Sequence, residues 1–391
     1  MNHEETSRTL QLAVIGAGAR SGIAQHAVRS GSGTVVAVAD PSEASRERAR
    51  ASFGDRVALF SDHRELLASG MRIDAAFVTS PDHTHAEIAI DLLGAGVAVY
   101  LEKPLAITVE DADAILEAAA ESGSRLYVGH NMRHMGVVRL MRDIIQRGDI
   151  GEVKAVWCRH FVGNGGDYYF KDWHAERAKS NGLLLQKGAH DIDVIHWLAG
   201  GYTTLVTGMG DLSVYGDIAD RRDNSDRTMP EWFSFDSWPP LSQTELNPVI
   251  DVEDLSMVSM RLDNGVLASY QQCHFTPDYW RNYTVIGTEG RLENFGDSEG
   301  GVVRVWNRRT TYDPAGDVEY RVRGDNGGHG DADRRTVDEF VDFVLNGSPT
   351  ETSAIAARNA VATAVAATES LRDGSKPRAV PAVKERVALK L

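Results

Sequence analysis

Two cysteines, Cys158 and Cys273, are all the chain has. That excludes a disulfide framework and a zinc site built on thiolates, and it suits a reducing compartment. Long apolar runs are missing too: none approaches the roughly 18 residues a membrane-spanning helix needs. Basic residues are in deficit, 41 Lys and Arg against 56 Asp and Glu, for a net charge of −15. The deficit argues against a nucleic-acid or anionic-membrane surface, although a local basic pocket can still hold an anion. The opening MNHEETSRTL is polar and acidic, without the basic and apolar regions or the twin arginine of an export signal. No HExxH, paired CxxC or acidic cluster speaks for a metal. The expectation is a soluble, cytoplasmic protein with no nucleic-acid partner, no membrane partner and no metal.

What is present is ordinary globular composition, 42% hydrophobic and 25% charged over 391 residues, which leaves room for two domains. The chain is organised around LAVIGAGARSGIAQHAV, Leu12 to Val28. There an apolar strand runs into a glycine turn and then a helix. Gly16 and Gly18 remove side chains that would keep a pyrophosphate from the backbone, and the helix that follows aims free N–H groups and its positive dipole end at the phosphates. Ala19 and Arg20 complete the turn, and Ser21 stands where the third glycine of GxGxxG is usual. The next strand, TVVAVAD, ends in Asp40. An acid there accepts hydrogen bonds from an adenosine ribose and repels a 2′-phosphate, which favours NAD over NADP. A bare GxG is also compatible with a tight turn that holds nothing; the flanking strand and helix and Asp40 favour the dinucleotide.

Strand and helix signals alternate through the first third, which argues a parallel sheet with right-handed crossovers. Ligands of such sheets bind beyond the carboxyl ends of the strands. That rule brings Ser80, Pro81 and His83, the Glu102-Lys103-Pro104 tripeptide and Asn131 of GHNMR to the same place as Gly16 and Gly18. From about Gly151 longer alternating segments appear, among them EVKAVWCRHF, DLSMVSMRL and VLASYQQCHF. The last two are joined by Asn264-Gly265, a two-residue hairpin signal. The expected architecture is α/β: a parallel-sheet nucleotide domain over residues 1–130, then an α+β domain over 131–391 with a large, mostly antiparallel open sheet. A polar insertion at about 217–252 reads equally as a lid or interface and as a solvated excursion.

With the GxG turn, Asp40, Glu102-Lys103-Pro104, GHNMR, HDID and GTEGR in this order, the chain resembles the glucose-fructose oxidoreductase / inositol dehydrogenase (Gfo/Idh/MocA) family over nearly its whole length. The resemblance implies an N-terminal Rossmann domain, bound NAD(P), hydride transfer at a carbohydrate or polyol carbon, and homodimers or homotetramers formed through the large sheet. It also implies that Lys103 lies beside the substrate hydroxyl. The family pattern of an aspartate four residues before a histidine is altered. In LLLQKGAHDID, His190 matches the histidine, Gln186 stands in the aspartate's place, and Lys187 follows.

Oxidising a secondary alcohol needs a base for the hydroxyl proton. Lys103 is the first candidate, once desolvation or a neighbouring cation lowers its pKa; its bland reading is an exposed lysine after a strand. His190 can hold or relay a proton near neutrality, or merely cap a helix, and Lys187 falls on its face if that helix starts early. Asp191 and Asp193 read blandly as favourable charges in a first helical turn, with Asp193 the better placed to touch sugar. Trp173 and Arg177 offer sugar stacking and an anion clamp, or a packed loop. His274, Tyr279, Arg281 and Tyr283 lie on or after strands of the second domain, where aromatic residues are usually core, and His329 sits in a glycine-rich loop that resembles the family's substrate-pocket loop. The expected function is hydride transfer between NAD and C3 of a pyranoside. Two segments, LLQKGAHDID and QCHFTPDYWRNYTVIGTEGR, resemble family proteins that hydrolyse glycosides by a redox-neutral route, including sulfoquinovosides. A net sugar 3-dehydrogenase and a catalytically silent NAD-binding sensor are the alternatives.

Overall fold

The structure is a computed structural model that describes residues 9–324 and 331–390. Short apolar segments form the first sheet: β1 (Leu10–Ile15), β2 (Gly33–Ala39), β3 (Ala58–Phe60), β4 (Ala75–Val78), β5 (Ala98–Leu101) and β6 (Leu126–Val128). All pairings are parallel, in the order β3-β2-β1-β4-β5-β6. The order reverses direction beside β1, so the carboxyl ends of β1 and β4 open a crevice there. The strands are buried on both faces, and this is why they read as continuous apolar runs.

The second sheet has nine strands: β7 (Val153–Phe161), β8 (Thr203–Asp211), β9 (Leu255–Leu262), β10 (Leu267–Cys273), β11 (Trp280–Gly287), β12 (Arg291–Phe295), β13 (Val302–Trp306), β14 (Val318–Arg321) and β15 (Arg378–Ala379). It is antiparallel except where β10 runs parallel to β7. The β9–β10 hairpin closes through three residues, Asp263 to Gly265, rather than two. The Leu262 N–H bonds the Val266 carbonyl at 2.9 Å, and Gly265 takes the left-handed conformation at φ +84°. A residue without Cβ is favoured at that point of a three-residue loop.

Alternation along the strands gives this sheet two unlike faces. Val156, Cys158, His160, Tyr270, Gln272 and Tyr283 point inward and are buried, while Trp157, Met209, Met257 and Leu267 face outward and are exposed. Against the inner face lie the helix Gly136–Gln146, the helix Gly188–Ala199 and the nearly all-buried, alanine-rich helix Ala354–Arg372. That last helix also packs on the first sheet's helices through Ala357, Ala360, Val361 and Ala364. The helix Ala332–Asn346 covers the first sheet's other face, where Phe340 meets Phe77, Tyr100 and Tyr127. The C-terminal stretch is therefore shared between the two sheets, and the helix Gly188–Ala199 is held where its first turn meets the carboxyl edge of the first.

Candidate functional site

The glycine turn after β1 is fixed by the strands beside it. Gly16 has φ +89°, and a Cβ there would stand 2.5 Å from the Ser80 backbone nitrogen, so nothing but glycine fits between β1 and the loop after β4. Gly18 has open space on its side-chain face, and Gly18 and Ala19 are exposed. Asp40 is at the tip of β2, where its carboxylate accepts from Ala17 N at 2.7 Å and Ser42 N at 2.8 Å. An open backbone turn, a helical turn beginning at Ser21 and an acid at the second strand's tip fit a dinucleotide: Gly16, Gly18 and Ala19 beneath the phosphates and Asp40 toward the ribose. Arg20 turns away from that cradle. Its guanidinium donates to Glu102 at 2.6 and 2.9 Å and to Asp333 at 2.7 Å, and Asn131 Nδ2 reaches the same Asp333 at 2.7 Å. Arg20, Glu102 and Asn131 are thus brought together through Asp333 beside the glycine turn.

The loops after β4 and β5 are tied by His85, whose ring nitrogens face Pro104 O at 2.8 Å and Ser80 O at 3.0 Å. Ser80 Oγ accepts from Thr84 at 2.7 Å, and Pro81 O accepts from the same hydroxyl. His83 is exposed, its ring 6.4 Å from that of Trp173. Between these loops Lys103 runs inward and donates to the Gln186 carbonyl at 2.9 Å. Burial lowers its pKa, an effect opposed by Asp82 and Glu102 and reinforced by Arg20 and Arg281. Asp82 is itself buried, and desolvation raises its carboxyl against the pull of His85 and Lys103.

The second domain supplies the facing wall. Lys187 directly precedes the helix Gly188–Ala199, and its Nζ stands 5.8 Å from the ring centres of Tyr169 and Tyr279. Its pKa falls to about 7, because burial and the neighbouring Arg281 and Lys103 cations outweigh the more distant Asp191 and Asp297. His190 is buried one turn on, with its ring 6.0 Å from that of His130. Lys103, Lys187 and His190 therefore converge, which the pattern LLLQKGAH alone leaves open.

Asp191 is not a surface charge at a helix start. It is wholly buried and receives His160 Nδ1 at 3.0 Å, the Tyr270 hydroxyl at 3.0 Å and the Tyr283 hydroxyl, and the Arg281 guanidinium forms an ion pair with it at 2.7 Å. Burial would raise its pKa, but Arg281 and His160 hold it far below the carboxylate range. His160 is pressed down to about 3 by burial and by Arg281. Tyr283 thereby serves the network rather than the open pocket. Asp193 faces the other way: Arg133 takes both its oxygens at 2.7 Å, so its lone pairs are spent within the protein. Arg177 is exposed and its Nη2 pairs with Glu253 at 3.1 Å. Trp173 stacks on His174 at 3.8 Å. His274 is buried, its ring 5.2 Å from Tyr169, and burial holds it neutral. His329 lies outside the described residues.

Sequence reasoning missed His160, Tyr270, Tyr169 and Asp82, gave Asp191 only its bland reading, and named Arg281 without its buried carboxylate partner. A signal existed in part: Cys158/His160, Tyr270/Gln272 and Arg281/Tyr283 are polar pairs two residues apart, on one face of strands otherwise apolar on that face. Among the described residues no group of three or more His, Cys, Asp or Glu side chains could hold a metal, and no helix is long and apolar enough to cross a membrane.

This is a dinucleotide-binding sheet whose Lys103 faces Lys187 of a second domain built on an open sheet, and the chain belongs to the Gfo/Idh/MocA oxidoreductase family. Residues 10–130 match the family's NAD-binding Rossmann fold and residues 142–380 its C-terminal alpha/beta domain. A putative oxidoreductase, YteT, of Bacillus subtilis (strain 168) is 28% identical over 256 residues, 56% of this chain and 60% of that protein. An inositol 2-dehydrogenase of Klebsiella pneumoniae is 33% identical over 196 residues, 49% of this chain and 54% of the enzyme. The chain thus spans little more than half the length of these curated relatives. A levoglucosan dehydrogenase in complex with NADH and levoglucosan superposes with a TM-score of 0.78 at 19% identity, covering 96% of this chain and 100% of that one. GenD2 from gentamicin A biosynthesis, in complex with NAD, gives 0.73 at 21% identity, covering 96% and 97%. The last two establish the shared fold.

Proposed function

We propose that the protein oxidises a ring hydroxyl at C3 of a pyranoside, with NAD as the hydride acceptor, and uses the resulting ketone to hydrolyse the glycosidic bond without net redox change. The observation that carries this is the pair of ammonium groups: Lys103 Nζ bonded to the Gln186 carbonyl, and Lys187 on the very next residue with its pKa near 7. Lys103 takes the C3 hydroxyl proton. Lys187, neutral in part of the population at pH 7, takes the proton at C2 that a C3 ketone acidifies; the C1–O bond to the aglycone breaks as that oxygen takes up a proton, and water then adds its oxygen to C1 and a proton to C2. His190 holds the sugar hydroxyls from the helix, and the same two lysines return their protons as C3 is reduced again. An anionic substituent, such as the sulfonate of a sulfoquinovoside, would be drawn to the Lys103 and Lys187 ammonium groups of this pocket. The exposed outer face of the second sheet, with Trp157, Met209, Met257 and Leu267, is the surface we assign to a homodimer or homotetramer contact.

A second reading is a net sugar 3-dehydrogenase, in which the ketone leaves as product. It is favoured by relatives and structural neighbours named as inositol and levoglucosan dehydrogenases. Incubating the protein with aryl and alkyl glycosides without added NAD separates the two. Hydrolysis with no accumulating NADH supports the first, and stoichiometric NADH supports the second. Neither reaction on any glycoside, from a protein that carries bound NAD, would instead leave the silent sensor.

A further inference from the structure

The segment 217–252 is not a loose excursion. Trp232 is buried and donates Nε1 to the Asp167 carbonyl at 2.8 Å, and Gln243 Nε2 donates to the Asp167 carboxylate at 2.9 Å. Asn224 Nδ2 donates to Lys171 O at 2.9 Å and Glu245 O at 2.8 Å. These bonds clamp the segment to the short helix Gly165–Tyr169, whose last ring lines the site. The result is a file of aromatic rings running from the pocket to the surface. Tyr169 stands 5.8 Å from Lys187 Nζ; Tyr168 follows at 6.1 Å, Phe233 at 5.6 Å and Phe235 at 5.0 Å, each distance between successive ring centres. Tyr169 is 9% exposed, Tyr168 39%, Phe233 half-buried and Phe235, at the outer end, 78% exposed.

We propose that Tyr168, Phe233 and Phe235 form a stacking subsite for the second ring of a glycoside, the aglycone or neighbouring sugar unit, outside the pocket that holds the reacting sugar. The inference rests on the sugar reading of that pocket. The face of a pyranose or an aryl group presents C–H edges or a π-surface that an electron-rich aromatic face attracts, and rings kept exposed on a clamped scaffold bind without first being ordered. Exposed apolar surface also marks subunit contacts. This patch, however, is continuous with the site through Tyr169, whereas the outer sheet face offers a separate apolar surface for a second copy.

The test measures dissociation constants of the NAD-loaded protein for matched methyl and phenyl glycosides of glucose, galactose and mannose in both anomers. On the wild type the phenyl member of a bound pair should be tighter by about five- to tenfold. The Phe233→Ala/Phe235→Ala variant should lose that advantage while its methyl-glycoside affinity stays unchanged. Phe233→Leu/Phe235→Leu, which keeps apolar volume to protect folding, should lose it too. Equal affinity for methyl and phenyl members overturns the subsite and leaves the sugar reading standing. An equal loss for both members, or a fall in sedimentation mass in either variant, overturns it in favour of a structural or subunit role. No binding of any glycoside overturns both.

Discussion

The helix Gly188–Ala199 carries two buried aspartates two residues apart, and their surroundings differ in one respect that separates structure from chemistry. Asp193 meets a single guanidinium, bidentate from Arg133, which also donates through Nη1 to the Glu351 carbonyl. Charge is balanced one against one. On the other face, Asp191 and the more distant Asp297 share Arg281, and Arg281 and Lys103 stand close enough to lower the affinity of Lys187 for a proton. Desolvation is severe in both places. In the balanced pair it only deepens the ion pair; in the unbalanced cluster it is relieved by releasing protons, and a group that releases a proton near pH 7 is what base catalysis requires. The same helix therefore anchors the fold with one side and supplies proton chemistry with the other.

The widest separation between the two sides should come from Lys103. Lys103→Met keeps the stem's volume and removes the base, and turnover on any glycoside the wild type accepts should fall by about 10²- to 10⁴-fold. NAD binding, read by fluorescence of bound NADH, should persist. Full turnover in this variant would remove Lys103 from the reaction.

Next in size is the balanced side. Asp193→Ala strands the buried Arg133 charge, and urea unfolding should show a loss of about 3–5 kcal/mol. Replacing both partners, Arg133→Met with Asp193→Leu, should cost less than the single change, because a desolvated pair often does no better than well-packed apolar groups. A single variant as stable as the wild type would show that the pair carries no such load.

Lys187 gives a smaller effect that sharpens the contrast through pH. Its folded pKa of about 7 lies below the unfolded value of roughly 10.4. Between those values the unfolded chain holds a proton that the folded protein lacks, so stability rises with pH across that window; below it, the penalty for a buried ammonium is present in full. The logarithm of a turnover that depends on the neutral amine should rise with unit slope below pH 7 and level off above it. In Lys187→Met, the acid limb of the rate and this rise in stability should both disappear, measured against the wild type from pH 6 to 10. An unchanged acid limb would assign it to another group.

The two sides were unequally legible in the sequence for a physical reason. Gly16, Asp40 and Lys103 belong to strand-turn-helix units whose geometry is local, so periodicity and the rule for parallel sheets suffice to bring them together. Asp193 could not be read in this way, because Arg133, which takes its oxygens, lies 60 residues upstream. Asp191 is harder still. Its partners His160, Tyr270, Arg281 and Tyr283 come from three strands whose register aligns His160 with Gln272 on one side and Arg281 on the other. Register is set by packing of the whole sheet, so a polar residue at an inward position is visible in the sequence while its partner is not. The hairpin at Asn264-Gly265 was similarly read to the right place but one residue short, since the extra loop residue depends on how the flanking strands pair.

The smallest effect is expected at Arg177, where sequence suggested a clamp for a substrate anion. The guanidinium is 46% exposed on its side chain and meets Glu253, a carboxylate that Arg372 already holds at 2.8 and 3.0 Å. Removing Arg177 leaves Glu253 paired, so Arg177→Ala should change stability by no more than about 0.5–1 kcal/mol, and less at high salt because the pair is open to solvent. Its KM for an anionic glycoside should match that of the wild type, since the cations that face the pocket are Lys103, Lys187 and Arg281. A KM rise confined to anionic glycosides in Arg177→Ala would mean that the guanidinium leaves Glu253 when substrate arrives, and the balance of charge on which the contrast rests would have to be redrawn with a fourth cation inside the site.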